Sequence, residues 1–455
     1  MPRVHTATGK RFLSGDKTSA VSKNSLDGSA SVSYAGFETP GFLVARVLGS
    51  DMTGPRVVAF ALLLAVATVG GVAVGATQGG HTFSVQPVEN GSNYLGPNAS
   101  DVDRSRQGAT SLDVAVAIRA DAGRVRATFS AESVKRRYDA AANDTDRRRV
   151  VRSETDRLAR QVEVLEQREV ETIEGYAAGD LDEADLFRSL AIIDGAARTR
   201  ADTAAWLQSR AAADLDMGAE SGRLSTLRIR LLALCGPVRR QVASGINGSE
   251  RSRVQAEAAS GGLVLATVDR NENGDDVYVR EAYTPAIRTR GNTARYAGNL
   301  PQVAARIGEL YPWVNNRTAD VGIQQLIGGE GAKLYSMEVR YDGGRVTPYL
   351  DGGTDRVEKE EQRQRIVDLP TDRRNATGGD GELDVTVRTT YASGPLGVNA
   401  TNPATNRTVN ATVFVNDDRV GPTESETLWT VAPRGPTNVT VVHGDSRVTT
   451  TVRAG

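Results

Sequence analysis

Between Val57 and Ala76 the chain reads VVAFALLLAVATVGGVAVGA, 20 residues without a charge. At 1.5 Å per residue, a helix of that length spans the ~30 Å hydrocarbon core of a bilayer. Arg46 and Arg56 precede the run, and the next basic residue after it is Arg104. The positive-inside bias therefore predicts a cytoplasmic N-terminus, with everything beyond Ala76 on the outer side of the membrane. Residues 56–77 are expected to be a single transmembrane signal anchor if translation begins at Met1. If it begins at Met52, they are a signal peptide with Val74-Gly75-Ala76 at the cleavage site. Residues 1–51, rich in Ser, Thr and Gly and without an apolar period, are expected to be disordered or a misassigned extension. With the polar TTTVRAG at the C-terminus, no second anchor is expected.

Composition removes several classes of chemistry. A single cysteine, Cys235, excludes an intrachain disulfide framework and any cysteine-built metal centre. His5, His81 and His443 are scattered, so no zinc-binding histidine pair exists. A formal net charge of -1 argues against a nucleic-acid partner, because no basic face of domain size can come from that balance. No cofactor fingerprint occurs either, whether a phosphate-binding glycine loop, a dinucleotide motif or a nucleophile elbow, and no cofactor is expected.

Ten of the 19 asparagines stand in the glycosylation pattern N-x-[ST]: Asn90, Asn98, Asn143, Asn247, Asn316, Asn375, Asn399, Asn406, Asn410 and Asn438. Serine and threonine frequency alone would place roughly three there. The excess fits an exported glycoprotein.

The expected organisation is α+β and multidomain. Residues 78–110, rich in Gly, Asn, Ser and Pro, read as a polar linker. Residues 111–250 read as a helical hairpin domain, since no proline falls between Pro97 and Pro237. There Val151, Thr155, Leu158, Val162, Leu165, Glu169 and Ile173 form a coiled-coil-like stripe, answered by Leu186, Leu190, Ile193, Ala197, Ala204, Leu207 and Ala211 beyond a break at Gly175 and Gly179-Asp180. A third helix carries Leu224, Leu227, Leu231 and Leu234 up to Gly236-Pro237, with Cys235 as small core filler. Residues 254–369 read as a small α+β domain. GGLVLATVD and DVYVREAY flank one turn, LYSMEVRY and RVTPYL flank another, and a helix through Val303, Ile307 and Tyr311 lies between the pairs. Residues 380–455 alternate apolar and polar, as in an Ig-like β-sandwich, with Asn410 and Asn438 on the outward face.

Two features bear on chemistry. Asp269, Asn271 and Asn273, ahead of Gly274, match the first ligand positions of a calcium loop. Position 12 is Arg280 instead of Glu, so an ordinary hairpin turn is the expectation and weak calcium binding the alternative. Glu281, Glu338 and Asp351, beside the β segments, are the carboxylates available to a hydrolase.

GGLVLATVD…YVREAY, MEVRYDGGRVTPYLDGGT and LWTVAPRG…VTVV, behind an export segment and a charged helical hairpin, resemble uncharacterised exported proteins of haloarchaea. The use of 49 Arg against six Lys is compatible with that source. The terminal module is similar to carboxypeptidase-regulatory-like and other Ig-like accessory domains, which implies stabilising or binding in place of catalysis. The expected function is thus a non-catalytic, exported envelope glycoprotein, membrane-anchored or secreted, with an envelope protein or glycan as partner. An exported carboxylate-dependent hydrolase, with its site in the α+β domain, is the other reading.

Overall fold

A computed structural model describes residues 83–87, 93–249, 251–288, 295–313, 322–327, 334–378, 381–424 and 426–453. The extension 1–51, the apolar run Val57–Ala76 and the acceptors Asn90 and Asn316 lie outside the described residues. Among these residues, no helix is long and apolar enough to cross a membrane.

The helical half contains α1 (Val114–Asp139), α2 (Asp144–Ala178), α3 (Glu183–Ala213), α4 (Gly218–Ala233) and α5 (Pro237–Ile246). The start of α2 is set by Asn143, whose side chain accepts from the Asp146 N–H at 3.0 Å, and Asp182 does the same for α3 through Asp185 at 2.8 Å. Gly179, in the left-handed conformation, ends α2. Gly175 does not break the helix; it lies within the last turn of α2. All seven residues of the stripe from Val151 to Ile173 are buried. Leu158, Val162 and Leu165 pack against Ile193, Ala197, Ala204 and Leu207 of α3 and Leu224, Leu227 and Leu231 of α4. The seam is filled from within the same chain.

Eight antiparallel strands form one sheet in the order β3-β4-β5-β6-β10-β9-β8-β7. They are β3 (Arg104–Ala109), β4 (Arg253–Ala259), β5 (Gly262–Arg270), β6 (Asp276–Tyr283), β7 (Gly322–Ile327), β8 (Leu334–Tyr341), β9 (Gly344–Asp351) and β10 (Arg356–Arg365). One face carries Val254, Ala256, Leu263, Leu265, Val277 and Val279 into a core shared with Ile173, Tyr176, Leu186, Phe187 and Leu190 of the helices. The other face is covered by the hairpin β1 (Phe83–Pro87) and β2 (Asn93–Pro97) and by α6 (Leu300–Leu310), around Tyr311, Tyr335, Val346 and Leu350.

The C-terminal module is a sandwich. Its first sheet contains β11 (Asp372–Thr377), β12 (Asp384–Thr389) and β13 (Pro395–Asn402), with β14 (Arg407–Thr408) and β17 (Leu428–Val431) both pairing with β13. Its second sheet has the order β16 (Asp418–Pro422), β15 (Thr412–Val415), β18 (Pro436–His443), β19 (Ser446–Arg453). Ala411, Val413, Val415, Val439 and Val441 point into its core, while Asn410 and Asn438 face solvent. The packing follows the period-two reading of these strands at these positions, while Thr440, on the outward face by that period, is buried.

Three expectations need correction. Residues 78–110 are not a linker throughout: Phe83 and Leu95 are buried in the core, and β3 hydrogen-bonds along its length to β4. Such short strands carry one apolar residue each, too little for a periodic signal. Residues 111–250 are not a separate hairpin: α1, α2, α3 and α5 share one core with the sheet, and Ile229 and Ala233 of α4 pack on Leu334 and Tyr349 of the same sheet. The sandwich starts at Asp372 instead of residue 380.

Because the α2 stripe is filled intramolecularly, the full chain carrying Leu158→Asp and Leu165→Asp should lose several kcal/mol of unfolding free energy while remaining monomeric. The isolated fragment 110–246 should fail to unfold cooperatively, having lost the sheet that covers Tyr176, Phe187 and Val242. Denaturant titration with size-exclusion measurement reads both outcomes.

Candidate functional site

Strand β10 has the sequence RVEKEEQRQR, a string of charged and polar residues without an apolar run, yet it lies fifth of eight in the sheet. A β-bulge at Glu358 shifts its register against β9. Beyond the bulge, Lys359 reaches the helical side, where its ammonium donates to the Leu232 and Cys235 carbonyls at the end of α4 and pairs with Glu361 at 2.5 Å. Glu360 points to the opposite side.

On the helical side, buried charges alternate in sign. The Glu358 carboxylate lies 3.4 Å from Arg288, Arg288 lies 2.7 Å from Glu169 of α2, Glu169 lies 2.7 Å from Arg239 of α5, and Arg239 lies 3.7 Å from Glu281 of β6. The Arg239 guanidinium also stacks 3.6 Å above the Tyr283 ring. Burial opposes ionisation of Glu169, but the adjacent Arg288 and Arg239 outweigh it and hold its carboxyl below the usual range. For Glu281 and Glu358 burial wins and pushes each carboxyl up to about 7.

Glu281 has a further role. Its two carboxylate oxygens accept from the Val238 and Arg239 N–H groups, at 3.0 and 3.1 Å, so it occupies the positive N-terminus of α5. A Cβ on Gly236 would stand 1.9 Å from the carboxylate, which leaves only glycine fitting there. On the opposite side of the sheet, Glu360 receives Arg280 at 3.0 Å, the Tyr311 hydroxyl at 2.5 Å, the Leu95 N–H at 2.8 Å and the Gln362 amide at 2.9 Å. These carboxylates are held by donors on every side and act as structural joints.

Among the described residues, two clefts offer room for a ligand. The larger, about 520 Å³, lies between the sheet and the C-terminal sandwich and is lined by Arg251, Arg253, Arg419, Trp429, Thr430 and Asp276, among others. Burial lowers the pKa of Arg253, and Arg419 adds repulsion that the Asp418 carboxylate counters. Among the described residues, no ion pair within 4.0 Å holds Arg251, Arg253 or Arg419, whereas Arg270 on the same wall reaches both Asp276 and Glu426 at 3.5 Å. The cleft is fixed by bonds between sheet and sandwich. Gln107 donates to Thr430 at 2.9 Å, Tyr278 to the Ser393 carbonyl at 2.9 Å, and Arg434 to the buried Glu257 at 3.1 Å. The smaller cleft, about 250 Å³, lies where α5 meets β8–β10 and includes Glu338, Glu361, Arg240, Arg345 and Arg363.

The carboxylates singled out from the sequence do not converge on one cavity. Glu281 caps α5, as described. Asp351 turns back on its own loop, accepting from the Gly353 and Thr354 N–H groups at 2.6 and 3.3 Å. Glu338 lines the smaller cleft, 3.0 Å from Arg340 and 3.8 Å from Arg345. The residues 269–274 form a hairpin turn between β5 and β6. Asn271 closes it, its side-chain oxygen accepting from the Asn273 and Asp275 N–H groups, while Gly274 sits at φ +85°. Asp269 accepts from the Arg270 N–H and lies 3.8 Å from Arg363. The Asn271 oxygen is thus turned inward to the backbone. Cys235 is buried with its thiol pushed up to about 12 by burial, as befits core filler. Of the eight described acceptor asparagines, Asn98, Asn143, Asn247, Asn375, Asn406, Asn410 and Asn438 are exposed and Asn399 is half-buried.

The arginines of the junction cleft escaped sequence reasoning because they come from the α5–β4 connection, the start of β4 and the sandwich, the last about 170 positions further along the chain; only the packed modules bring them together. Comparison with known proteins divides the chain at nearly the same places. Residues 52–251 match a domain of unknown function (DUF7096), residues 254–370 a family of unknown function (DUF7094), and residues 374–450 an archaeal fibronectin-III type-like domain. No curated protein and no solved structure matches the chain. The C-terminal sandwich is therefore fibronectin-III-like, which agrees with the resemblance to uncharacterised archaeal proteins carrying an Ig-like module.

The raised carboxyls make a pH prediction. A folded-state pKa near 7 against an unfolded value of 4.5 means the native state binds more protons between those limits. Stability contributed by these groups is then lost as pH rises through that window, by on the order of 2 kcal/mol per group. Denaturation measured from pH 5 to 8 should show falling stability, and Glu358→Gln, which leaves Arg288 its Glu169 partner, should flatten the slope. A wild-type profile that rises over the same range would contradict the assignment.

Proposed function

We propose that the protein is a non-catalytic spacer and binding protein of an archaeal cell envelope, exported across the cytoplasmic membrane and glycosylated, with an acidic glycan as ligand of the cleft between sheet and sandwich. The observation that carries this reading is the cleft itself: Arg251, Arg253 and Arg419 share about 520 Å³ with the indole of Trp429. Guanidinium groups pair with carboxylate or sulfate in two-pronged fashion, and an aromatic face suits a sugar ring. Clefts between modules are common ligand sites. A fibronectin-III-like module supports binding or structural work on its own account. A haloarchaeal source fits the preference for Arg over Lys, and the apolar run Val57–Ala76 with its upstream arginines supports export. Seven exposed acceptor asparagines leave room for glycans on the folded protein. The carboxylate-dependent hydrolase would need two carboxylates facing each other across a cavity. Glu281 and Asp351 are instead engaged by backbone N–H groups.

Two measurements test the proposal. Protease added to intact cells should remove the C-terminal module, and full protection would refute export. Titration with oligogalacturonate should give saturable binding that an uncharged oligosaccharide of equal length does not. Arg253→Gln with Arg419→Gln should weaken it by roughly tenfold or more, as expected for losing two charge-assisted contacts. Equal binding of both sugars would remove the acidic-ligand reading.

A further inference from the structure

The sheet face turned towards the helices carries a rung of arginines. Arg340 is paired directly opposite Arg345, and Arg345 directly opposite Arg363, so the three stand side by side across β8, β9 and β10. Their strand neighbours Val339 and Val346 point the other way, into the core under α6. Side chains directly opposite in an antiparallel pair start about 5 Å apart, and like charges so placed repel. Arg240, exposed near the start of α5, joins Arg345 and Arg363 in lining the smaller cleft.

The charges around this cleft do not cancel. Its walls hold Arg198, Arg240, Arg345 and Arg363 against Glu338 and Glu361, a net of +2. Both carboxylates already have cations: Glu338 lies 3.0 Å from Arg340, and Glu361 lies 2.5 Å from the buried Lys359. Arg198 is held by both oxygens of Asp194 at 2.7 Å, but Arg345 and Arg363 reach carboxylates, Glu338 and Asp269, only at 3.8 Å. Among the described residues, no ion pair within 4.0 Å holds Arg240. Counting the outlying partners Arg340, Lys359, Asp194 and Asp269 leaves the balance at +2, and beneath Gly236 the buried Arg239 and Glu281 offset one another. Burial lowers the pKa of Arg363, and Arg345 and Arg240 add repulsion that Asp269 and Glu361 counter only in part.

We propose that the cleft between α5 and strands β8–β10 holds a phosphate group, as the free ion or as the monoester of a small molecule, with Arg240, Arg345 and Arg363 around it and the Thr347 hydroxyl as a further donor. A phosphate group carries a charge of about -1.5 to -2 at pH 7 and so matches the excess, whereas one carboxylate answers half of it. Guanidinium groups from a helix and two strands suit a tetrahedral ion with oxygens on several sides. At about 250 Å³ the cleft is smaller than the ~300–1,000 Å³ pockets of drug-sized ligands, which favours a small occupant over a polymer. The inference uses no residue of the junction cleft and does not depend on its ligand.

The test is calorimetric titration of the full chain, held in an uncharged detergent, with inorganic phosphate, glycerol 3-phosphate and acetate at matched ionic strength. Both phosphates should bind saturably at one site per chain, and acetate should not. Tighter binding of glycerol 3-phosphate would make the natural occupant a monoester, and tighter binding of the inorganic ion would make it free phosphate. Arg240→Gln with Arg345→Gln should weaken phosphate binding roughly tenfold or more, through loss of two charge-assisted contacts. Should that variant fold poorly, Arg240→Gln alone, at an exposed position, should still weaken it severalfold. Arg253→Gln with Arg419→Gln, in the junction cleft, should bind phosphate like the wild type. Absence of saturable binding, an equal response to acetate, or unchanged affinity in the Arg240 variants would overturn the proposal. Loss confined to the junction variant would overturn it too, by moving the phosphate to the other cleft.

Discussion

The contact between Arg239 and Glu169, both wholly buried and 2.7 Å apart, is the joint on which the seating of helices on sheet depends. Each partner extends the connection: Glu169 to Arg288 and thence to Glu358 of β10, Arg239 towards Glu281 of β6. Burying such charges is costly, and a hydrophobic replacement of similar volume is often no worse for stability. Specificity is what the arrangement supplies. A helix layer slid along the sheet by one residue would keep much of its greasy contact but would leave several charges in low dielectric without partners, at about 3–5 kcal/mol for a broken pair. One seating satisfies all of them. That seating in turn places Gly236 against Glu281 and sets α5 where it forms a wall of the smaller cleft.

The parts of the fold legible in the sequence are those in which a single period governs burial. The α2 stripe and the alternation in β15 and β18 are of that kind, and the packing follows them except at Thr440, an outward position that is buried. Strand β10 was illegible for the opposite reason. Glu358, Lys359, Glu360, Gln362 and Gln364 are all buried, yet a segment of that composition reads as solvated surface when no partner can be seen. The partners of Glu360 come from Leu95, Arg280 and Tyr311, at separations of up to 265 positions, and no local pattern announces them. The candidate site shares this difficulty. Arg251, Arg253 and Arg419 are ordinary charges in sequence and become a site only when the sandwich rests against β3–β5. The carboxylates near strands, by contrast, stand out in the sequence, but backbone N–H groups take both Glu281 and Asp351, the first at the distant start of α5 and the second in its own loop.

The regions matched by separate family models are not separate in space. Strand β3 comes from the region 52–251 and forms the edge of a sheet whose other strands come from 254–370. The fibronectin-III-like module adds Ser393 and Arg434 to Glu257 of the same sheet. Three sequence units thus make a continuous body, held by polar bonds across each boundary, and the junction cleft inherits its rigidity from them.

The placement of β3 also fixes an order of events in making the protein. Arg104 pairs with Ala258, so an edge strand finds its neighbour only when another 154 positions of chain have emerged. Helices rich in local contacts form early, but the face carrying Glu169 waits for Arg239, and then for Arg288. Non-local pairing of this kind slows folding and prolongs the exposure of apolar surface. The ribosome delivers the helices long before the sheet that covers them, so a truncated chain ending near residue 250 would be a sticky intermediate and not a smaller version of the protein.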